Sequence, residues 1–136
     1  MPRDMVQPDP EPSGMHPYFA AIGPFYDEQG AAHWLGNITP RELERRRDRH
    51  QVLAMQTLDG TWLFPAWQLT PDGHVLLPLL PALRALAGLD RWLAGAWLIN
   101  GHPALDGQSP RQALSGGADP KWIATLALQD QNSMVS

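Results

Sequence analysis

DEQGAAHWLGNITPRELERRRDRH, residues 27–50, is the stretch that decides the fold of the N-terminal half. Asp27 is a suitable N-cap for a first helix, and Gly36 and Asn37 tolerate the positive φ that ends a helix. The sequence TPRE at 39–42 then supplies a capping hydroxyl, a proline at the first helical position and a glutamate at the third. This order predicts a capping box. Two helices joined by so short a turn predict a helix-turn-helix motif.

A β-hairpin is predicted directly after the second helix. Two runs of β-forming residues, 52–57 and 61–65, flank the turn Leu58-Asp59-Gly60. Asp-Gly between such runs is a strong hairpin signal. A hairpin that follows a helix-turn-helix is the arrangement of a winged helix. The segment 66–69 then leads to a second turn at Pro71-Asp72-Gly73.

The C-terminal half is predicted to be helical. Pro81 and Asp90 begin two helices, Ser109 opens a second capping box (SPRQ), and Asp119 caps a final helix that runs to about Leu128. We therefore predict a mostly α fold with a small β-hairpin. In this fold an N-terminal winged-helix-like helix-turn-helix is followed by a C-terminal helical domain.

Four segments are expected along the chain. Residues 1–17 are rich in Pro, Asp, Glu and Gln, and they should form a flexible arm because they bury too little apolar area to offset the entropy of ordering. Residues 18–75 are predicted to be the helix-turn-helix and hairpin unit, a candidate DNA-binding domain. Residues 76–128 are predicted to form the helical domain, and residues 129–136 a polar tail.

Composition limits the class of protein and its compartment. The chain has no cysteine, which excludes disulfides and thiolate metal sites. No N-terminal stretch joins basic residues to an apolar run, so we expect no secretory signal. The apolar segment 76–89 is too short, and too interrupted by proline, to span a bilayer. We therefore predict a cytoplasmic protein with no membrane association.

Basic residues are concentrated in the second helix of the helix-turn-helix. The formal net charge of the chain is −4, yet five of its ten basic residues lie between Arg41 and Arg49. Arg41, Arg45 and Arg49 recur every four residues and so share one helix face, with Arg46 beside them. Guanidinium groups suit phosphate oxygens and guanine edges, which favours DNA contact. The alternative is a solvated helix held together by pairs of Glu42 with Arg45 and Arg46.

No pattern of catalytic or metal-binding residues is visible. None of the histidines has a second histidine three or four residues away; they are His16, His33, His50, His74 and His102. The chain lacks a Gly-x-Ser-x-Gly motif, a glycine-rich phosphate loop and a dinucleotide-binding fingerprint. We expect no catalytic residue, no metal site and no cofactor, and the chain is predicted not to be an enzyme.

One segment of the second half resembles a known family. Residues 97–114 join a Trp-Leu helix end, a short turn, Gly107 and a helix that begins at Pro110. This segment is similar to the C-terminal toxin-binding domain of Xre/MbcA/ParS-type antitoxins from RES-domain toxin–antitoxin systems. The upstream sequences AAHWLG at 31–36 and FPAWQL at 64–69 also resemble regulators of this group, so that the similarity covers about residues 28–128. In those regulators FPAWQL corresponds to an aromatic strand that follows the hairpin.

The resemblance implies a type II antitoxin that covers the active site of a NAD-consuming RES-domain toxin and represses its own operon through the helix-turn-helix. Its implied partners are the cognate toxin, operator DNA and a second copy, as a homodimer within a hetero-oligomer. The implied toxin-binding residues are Trp97, Asn100, Leu105, Gly107, Pro110 and Trp122. The implied DNA-binding residues are Thr39, Arg41, Arg45, Arg46 and Arg49.

Other functions stay open at this point. A stand-alone DNA-binding transcriptional regulator would use the same winged helix, and its C-terminal domain would serve only for dimerisation. A small enzyme or an RNA-binding module is a third class. The loop 97–110 has its own alternative interpretation, an ordinary connector between two helices.

Overall fold

The computed structural model describes residues 5–6 and 16–135 of the chain. The described chain is mostly helical with a small antiparallel sheet, as predicted. It divides into two compact units, one ending at Leu76 and the other beginning at Leu77. The predicted flexible arm, 1–17, falls largely outside the described residues, apart from 16–17 and the short strand Met5–Val6.

Three helices belong to the first unit: α1 (Phe19–Ile22), α2 (Glu28–Trp34) and α3 (Pro40–Asp48). The predicted ends of α2 are confirmed. The side chain of Asp27 accepts a hydrogen bond from the backbone N–H of Gly30 at 2.7 Å. Gly36 and Asn37 follow α2 with φ of 98° and 60°, the left-handed conformation that those two residue types tolerate.

Helix α3 begins with only half of the predicted capping box. The Thr39 hydroxyl accepts from the backbone N–H of Glu42 at 3.1 Å, as expected. The reciprocal contact is replaced, because the Glu42 carboxylate binds Arg45 and Arg46 instead. Two guanidinium partners on the following turn outcompete one backbone N–H for this carboxylate. Leu43 is the buried apolar anchor of the helix.

The sheet has four short antiparallel strands: β1 (Met5–Val6), β2 (Phe25–Tyr26), β3 (Met55–Gln56) and β4 (Trp62–Pro65). Their order is β1-β2-β4-β3. The predicted hairpin is confirmed, since Met55 pairs with Leu63 across the turn. Gly60 has the positive φ, 88°, that such a turn requires.

The strand before the hairpin turn is shorter than predicted because a side chain occupies its backbone groups. Gln68 is fully buried, and its amide accepts from the N–H of Leu53 at 2.7 Å and donates to the Leu53 carbonyl at 2.8 Å. The resemblance implied an aromatic strand in this segment, and that expectation is wrong. Ala66–Gln68 form a 3₁₀ turn that directs Gln68 inward.

Helices build the second unit: α4 (Leu80–Ala85), α5 (Arg91–Ile99), α6 (Pro110–Ser115) and α7 (Pro120–Val135). Helix α7 packs along α4, and α5 packs on α6. The apolar side chains that fill this unit are buried because each lies on the inward stripe of an amphipathic helix. They include Leu83, Leu98, Ile123 and Ala127.

The predicted caps of these helices are present. Asp90 accepts from the backbone N–H groups of Trp92 and Leu93 at 3.0 and 3.2 Å. Ser109 and Gln112 form the full reciprocal capping box, with contacts of 3.1 and 3.0 Å. The starts of α5 and α6 are therefore fixed by local side chains, as the sequence indicates.

Helix α7 was predicted to end near Leu128, and this prediction is wrong. It continues to Val135, so that most of the predicted tail, 129–136, is helical. Two polar side chains hold this extension to the rest of the unit. Gln131 accepts from the backbone N–H of Gly88 at 2.9 Å, and Asp130 bonds two side chains described below. The polar segment 129–135 is helical because hydrogen bonds accepted by Asp130 and Gln131, and not an apolar stripe, hold it to the rest of the unit.

Candidate functional sites

The loop between α5 and α6, residues 100–109, is closed on itself by backbone hydrogen bonds. The N–H of His102 donates to the carbonyl of Gln108 at 2.9 Å, and the N–H of Gly107 donates to the carbonyl of His102 at 3.1 Å. A Cβ at Gly101 would lie 2.6 Å from the Gly107 carbonyl oxygen, so the closure requires glycine at position 101. The loop is thus a defined backbone structure.

A short turn displays the outer part of this loop. Pro103–Leu105 form a 3₁₀ turn whose Leu105 side chain is buried and serves as the loop's apolar anchor. Asp106 and Gly107 then adopt φ of 56° and 88°, which turns the chain sharply outward. Asp106, Gly107 and Gln108 are all exposed as a result.

One carboxylate ties the loop to two helices. Asp130 of α7 accepts, through Oδ2, from the indole Nε1 of Trp97 on α5 and from Nε2 of His102 in the loop, both at 2.8 Å. His102 Nδ1 also accepts from the N–H of Ala104 at 3.0 Å. Because Nδ1 is an acceptor, the proton of the neutral imidazole belongs on Nε2, from which it is donated to Asp130. The three side chains form one connected cluster.

The surroundings of Asp130 also act on its titration. Partial burial raises the pKa of this carboxyl, but the hydrogen bonds from Trp97 and His102 outweigh that effect. The net result is a pKa below the ordinary value of 3.8. Asp130 is therefore held as an acceptor for both neighbours.

The six predicted toxin-binding residues fall into two groups. Trp97, Leu105 and Pro110 are buried, so they hold the loop in shape and offer little surface. Asn100, Gly107 and Trp122 are exposed and accessible to another molecule. Sequence reasoning did not single out Asp130, because its contact with Trp97 spans 33 residues and no local pattern marks it.

A surface groove lies next to the loop. Its volume is about 450 Å³, and it is lined by alanine and glycine residues of the loop, of α6 and of the following turn, and by Leu105, Asp106, Gln108 and Trp122. The Trp122 side chain is 45% exposed, a large fraction for an aromatic residue of this size. The groove therefore combines small residues with one aromatic ring and one carboxylate.

The predicted DNA-binding residues lie on α3, and two of them are engaged within the helix. Arg45 binds Glu42 Oε1, and Arg46 Nε lies 3.0 Å from Glu42 Oε2. The hydrogen bonds from Arg45 and Arg46 lower the pKa of Glu42. The pairs of Glu42 with Arg45 and Arg46, which were the alternative to DNA contact by this helix, are therefore formed. Thr39 is also engaged, as the exposed N-cap.

The other two predicted arginines are unpaired. Within the described residues, Arg41 and Arg49 make no ion pair or hydrogen bond through their side chains, and both are exposed. They line one shallow depression together with Arg45, Glu44 and Asp48. The predicted shared face of Arg41, Arg45 and Arg49 is thus present, with two carboxylates between its arginines.

Arg47 has a separate role that the sequence did not indicate. Its guanidinium carbon lies 3.8 Å from the centre of the Trp62 ring, a cation–π contact between α3 and strand β4. Glu44 and Asp48 lie within 3.8 and 3.7 Å of the same guanidinium. The Arg47 side chain is only 15% exposed, so it joins the helix to the hairpin.

Among the described residues, no group of three or more His, Asp or Glu side chains is placed to hold a metal ion. No helix in the described part of the chain combines the length and the apolar character needed to cross a bilayer. Comparisons with protein-family models, with curated proteins and with solved structures return no match for this chain.

Proposed function

We propose that this chain is the antitoxin of a cytoplasmic type II toxin–antitoxin system and neutralises a NAD-consuming RES-domain toxin by covering its active site. The observation that supports this most is the closed loop 100–109. It lies within the segment 97–114 that carries the resemblance to toxin-binding domains. A loop with one fixed backbone conformation presents a ready-made epitope, and binding then costs little conformational entropy.

Inhibition of this kind is steric and needs no chemistry from the inhibitor. Asn100, Gly107 and Trp122 supply the exposed contact surface. Trp97 and Pro110 act from beneath by fixing the loop. Aromatic residues with exposed rings are common centres of binding energy at protein interfaces, which favours Trp122 as an anchor.

Operator binding by the first unit forms the second part of the proposal. Helices α2 and α3 would act as the helix-turn-helix and the β3–β4 hairpin as the wing, in a homodimer that matches a two-fold operator. Arg41 and Arg49 are available for phosphate contact, whereas Arg45 and Arg46 must exchange Glu42 for the nucleic acid. The interleaved carboxylates of Glu44 and Asp48 lower the attraction to DNA of arbitrary sequence.

The exposed arginines also favour a second candidate function, a stand-alone transcriptional regulator. In that case the chain would bind DNA without any toxin, and the second unit would only dimerise. A strong salt dependence of DNA binding is common to both proposals, so it does not separate them. Only the presence of a NAD-consuming partner does.

The experiment is affinity capture of the tagged full chain from its native host, followed by mass spectrometry and a NAD-consumption assay. We expect a stoichiometric partner that is inactive in the complex and consumes NAD once freed by denaturation and refolding. Recovery of specific DNA without such a partner would reject the antitoxin and favour the stand-alone regulator.

A further inference from the structure

The groove beside Trp122 is lined by an acidic residue but by no basic residue. Its walls consist mostly of alanine and glycine residues, with Leu105, Asp106, Gln108 and Trp122 as the larger side chains. No arginine, lysine or histidine lines it. Asp106 forms no ion pair within the described residues, and its carboxylate is exposed. The groove therefore carries one negative charge for which the described residues supply no cation.

The second feature of the groove is the exposed ring of Trp122. Trp122 is 45% exposed, and its indole N–H makes no hydrogen bond in the part of the chain that the structure describes. By contrast, the indole N–H groups of Trp34, Trp67 and Trp97 each donate a hydrogen bond. An exposed ring face and an adjacent carboxylate are the two features that attract a planar cation.

We propose that this groove binds an arginine side chain of the partner protein. The guanidinium would stack on the Trp122 ring and pair with the Asp106 carboxylate, while its methylene groups pack on the small residues Gly116 and Ala118. Arginine fits better than lysine because its planar group stacks on an aromatic face and pairs with a carboxylate through two parallel hydrogen bonds.

The inference rests on the proposed function for the identity of the partner, since the groove adjoins the loop assigned to toxin contact. Its chemistry does not depend on that identity. A guanidinium is expected to bind here weakly even when it is supplied on a small molecule.

The test is an NMR titration of the full ¹⁵N-labelled chain with the probe N-acetyl-arginine amide. We expect saturable shifts of the Trp122 indole signal and of the Gly116, Gly117 and Asp106 amides. N-acetyl-lysine amide should bind several-fold more weakly, and N-acetyl-leucine amide should give no saturable shift. Equal responses to arginine and lysine would reject the guanidinium assignment, and no shift at these signals would reject the site.

Two variants and one matched control sharpen the result. Asp106→Asn should weaken binding of the arginine probe about fivefold, as expected for loss of one exposed ion pair. Trp122→Leu should weaken it at least as much. Asp119→Asn removes the same charge from the same unit outside the groove, and it keeps an oxygen for the cap on Lys121, so it should bind like the parent. Equal binding by Asp106→Asn and the parent would overturn the proposal.

The titration separates this inference from the proposed function. If the chain inhibits a NAD-consuming partner but the arginine probe does not bind, only the groove assignment fails. If the probe binds at the groove but the chain has no NAD-consuming partner, the antitoxin proposal fails and the arginine site stands.

Discussion

Trp97 and Asp130, 33 residues apart in the chain, are joined by a hydrogen bond of 2.8 Å from the indole Nε1 to the carboxylate Oδ2. The same oxygen receives Nε2 of His102, so one atom of α7 connects α5 with the loop that follows it. The extension of α7 beyond Leu128 is therefore part of the apparatus that shapes the candidate partner-binding loop. Asp130 acts as a positioning residue for this loop.

Asp130→Ala should destabilise the second unit by about 1–2 kcal/mol, because it leaves the buried Trp97 N–H and the His102 N–H without their acceptor. Urea unfolding followed by circular dichroism measures the change. Gln129→Ala is the matched control, since Gln129 is exposed on the same helix. A variant as stable as this control would show that the cluster contributes nothing to the unit.

The contribution of Asp130 to stability should depend on pH. Its pKa in the folded chain lies below the ordinary value of 3.8, so its contribution is complete above that value and is lost as the pH falls through the folded-state pKa. The difference in unfolding free energy between the parent and Asp130→Asn should thus be constant near neutral pH and shrink below about pH 4. A difference that grows on acidification would contradict the assignment.

Gln68→Ala should be among the most destabilising single changes in the first unit. It removes both partners of the Leu53 backbone groups, in a place where the Gln68 side chain is fully buried. We expect a loss of about 2–4 kcal/mol, measured by urea unfolding, from two unsatisfied groups and a small cavity. Gln29→Ala, at an exposed position, should change stability little. A similar effect of both variants would refute the role of Gln68.

Glu42→Gln should raise the affinity for DNA if α3 contacts the operator. The change removes one negative charge and releases Arg45 and Arg46 for phosphates. An increase of about threefold, seen by fluorescence anisotropy with the DNA upstream of the operon, is expected at moderate salt. Glu28→Gln removes an equal charge from α2 and should have a smaller effect. Unchanged affinity in Glu42→Gln would indicate that this helix does not face the DNA.

Two further variants, Arg41→Ala and Arg49→Ala, test the same helix by removing positive charge. Each should weaken DNA binding and reduce the slope of log affinity against log salt by about one unit, because each removes one phosphate contact. Loss of binding without a change in slope would argue against phosphate contact by these residues. The unfolding curves of both variants should match the parent, since neither side chain has a partner within the described residues.

Local features of the fold were predictable from the sequence. Asp90 and Ser109 start their helices as expected because capping involves residues only two or three positions apart. The Asp59-Gly60 hairpin was predictable for the same reason. The half-formed box at Thr39 shows the limit of this reasoning. Glu42 had two kinds of local partner, and the pattern did not decide between them.

Long-range features were not predictable. Gln68 reaches Leu53, Arg47 stacks on Trp62, and Asp130 reaches Trp97, and none of these pairs has a local signature. Asn100, Gly107 and Trp122 are exposed, and their contact with a partner stays a prediction. Asp106 was missed because its significance comes from the groove that it lines, which depends on how α6 and α7 pack.

The most direct test of the central proposal is the rate of NAD consumption by the purified partner toxin as the full chain is titrated into it. The account predicts that turnover falls to background at an equimolar ratio. Gly101→Ala, whose Cβ would collide with the Gly107 carbonyl, should inhibit much less, while Ser115→Ala, at an exposed position of α6, should inhibit like the parent. Unchanged turnover in a large molar excess of the folded parent chain would contradict the account.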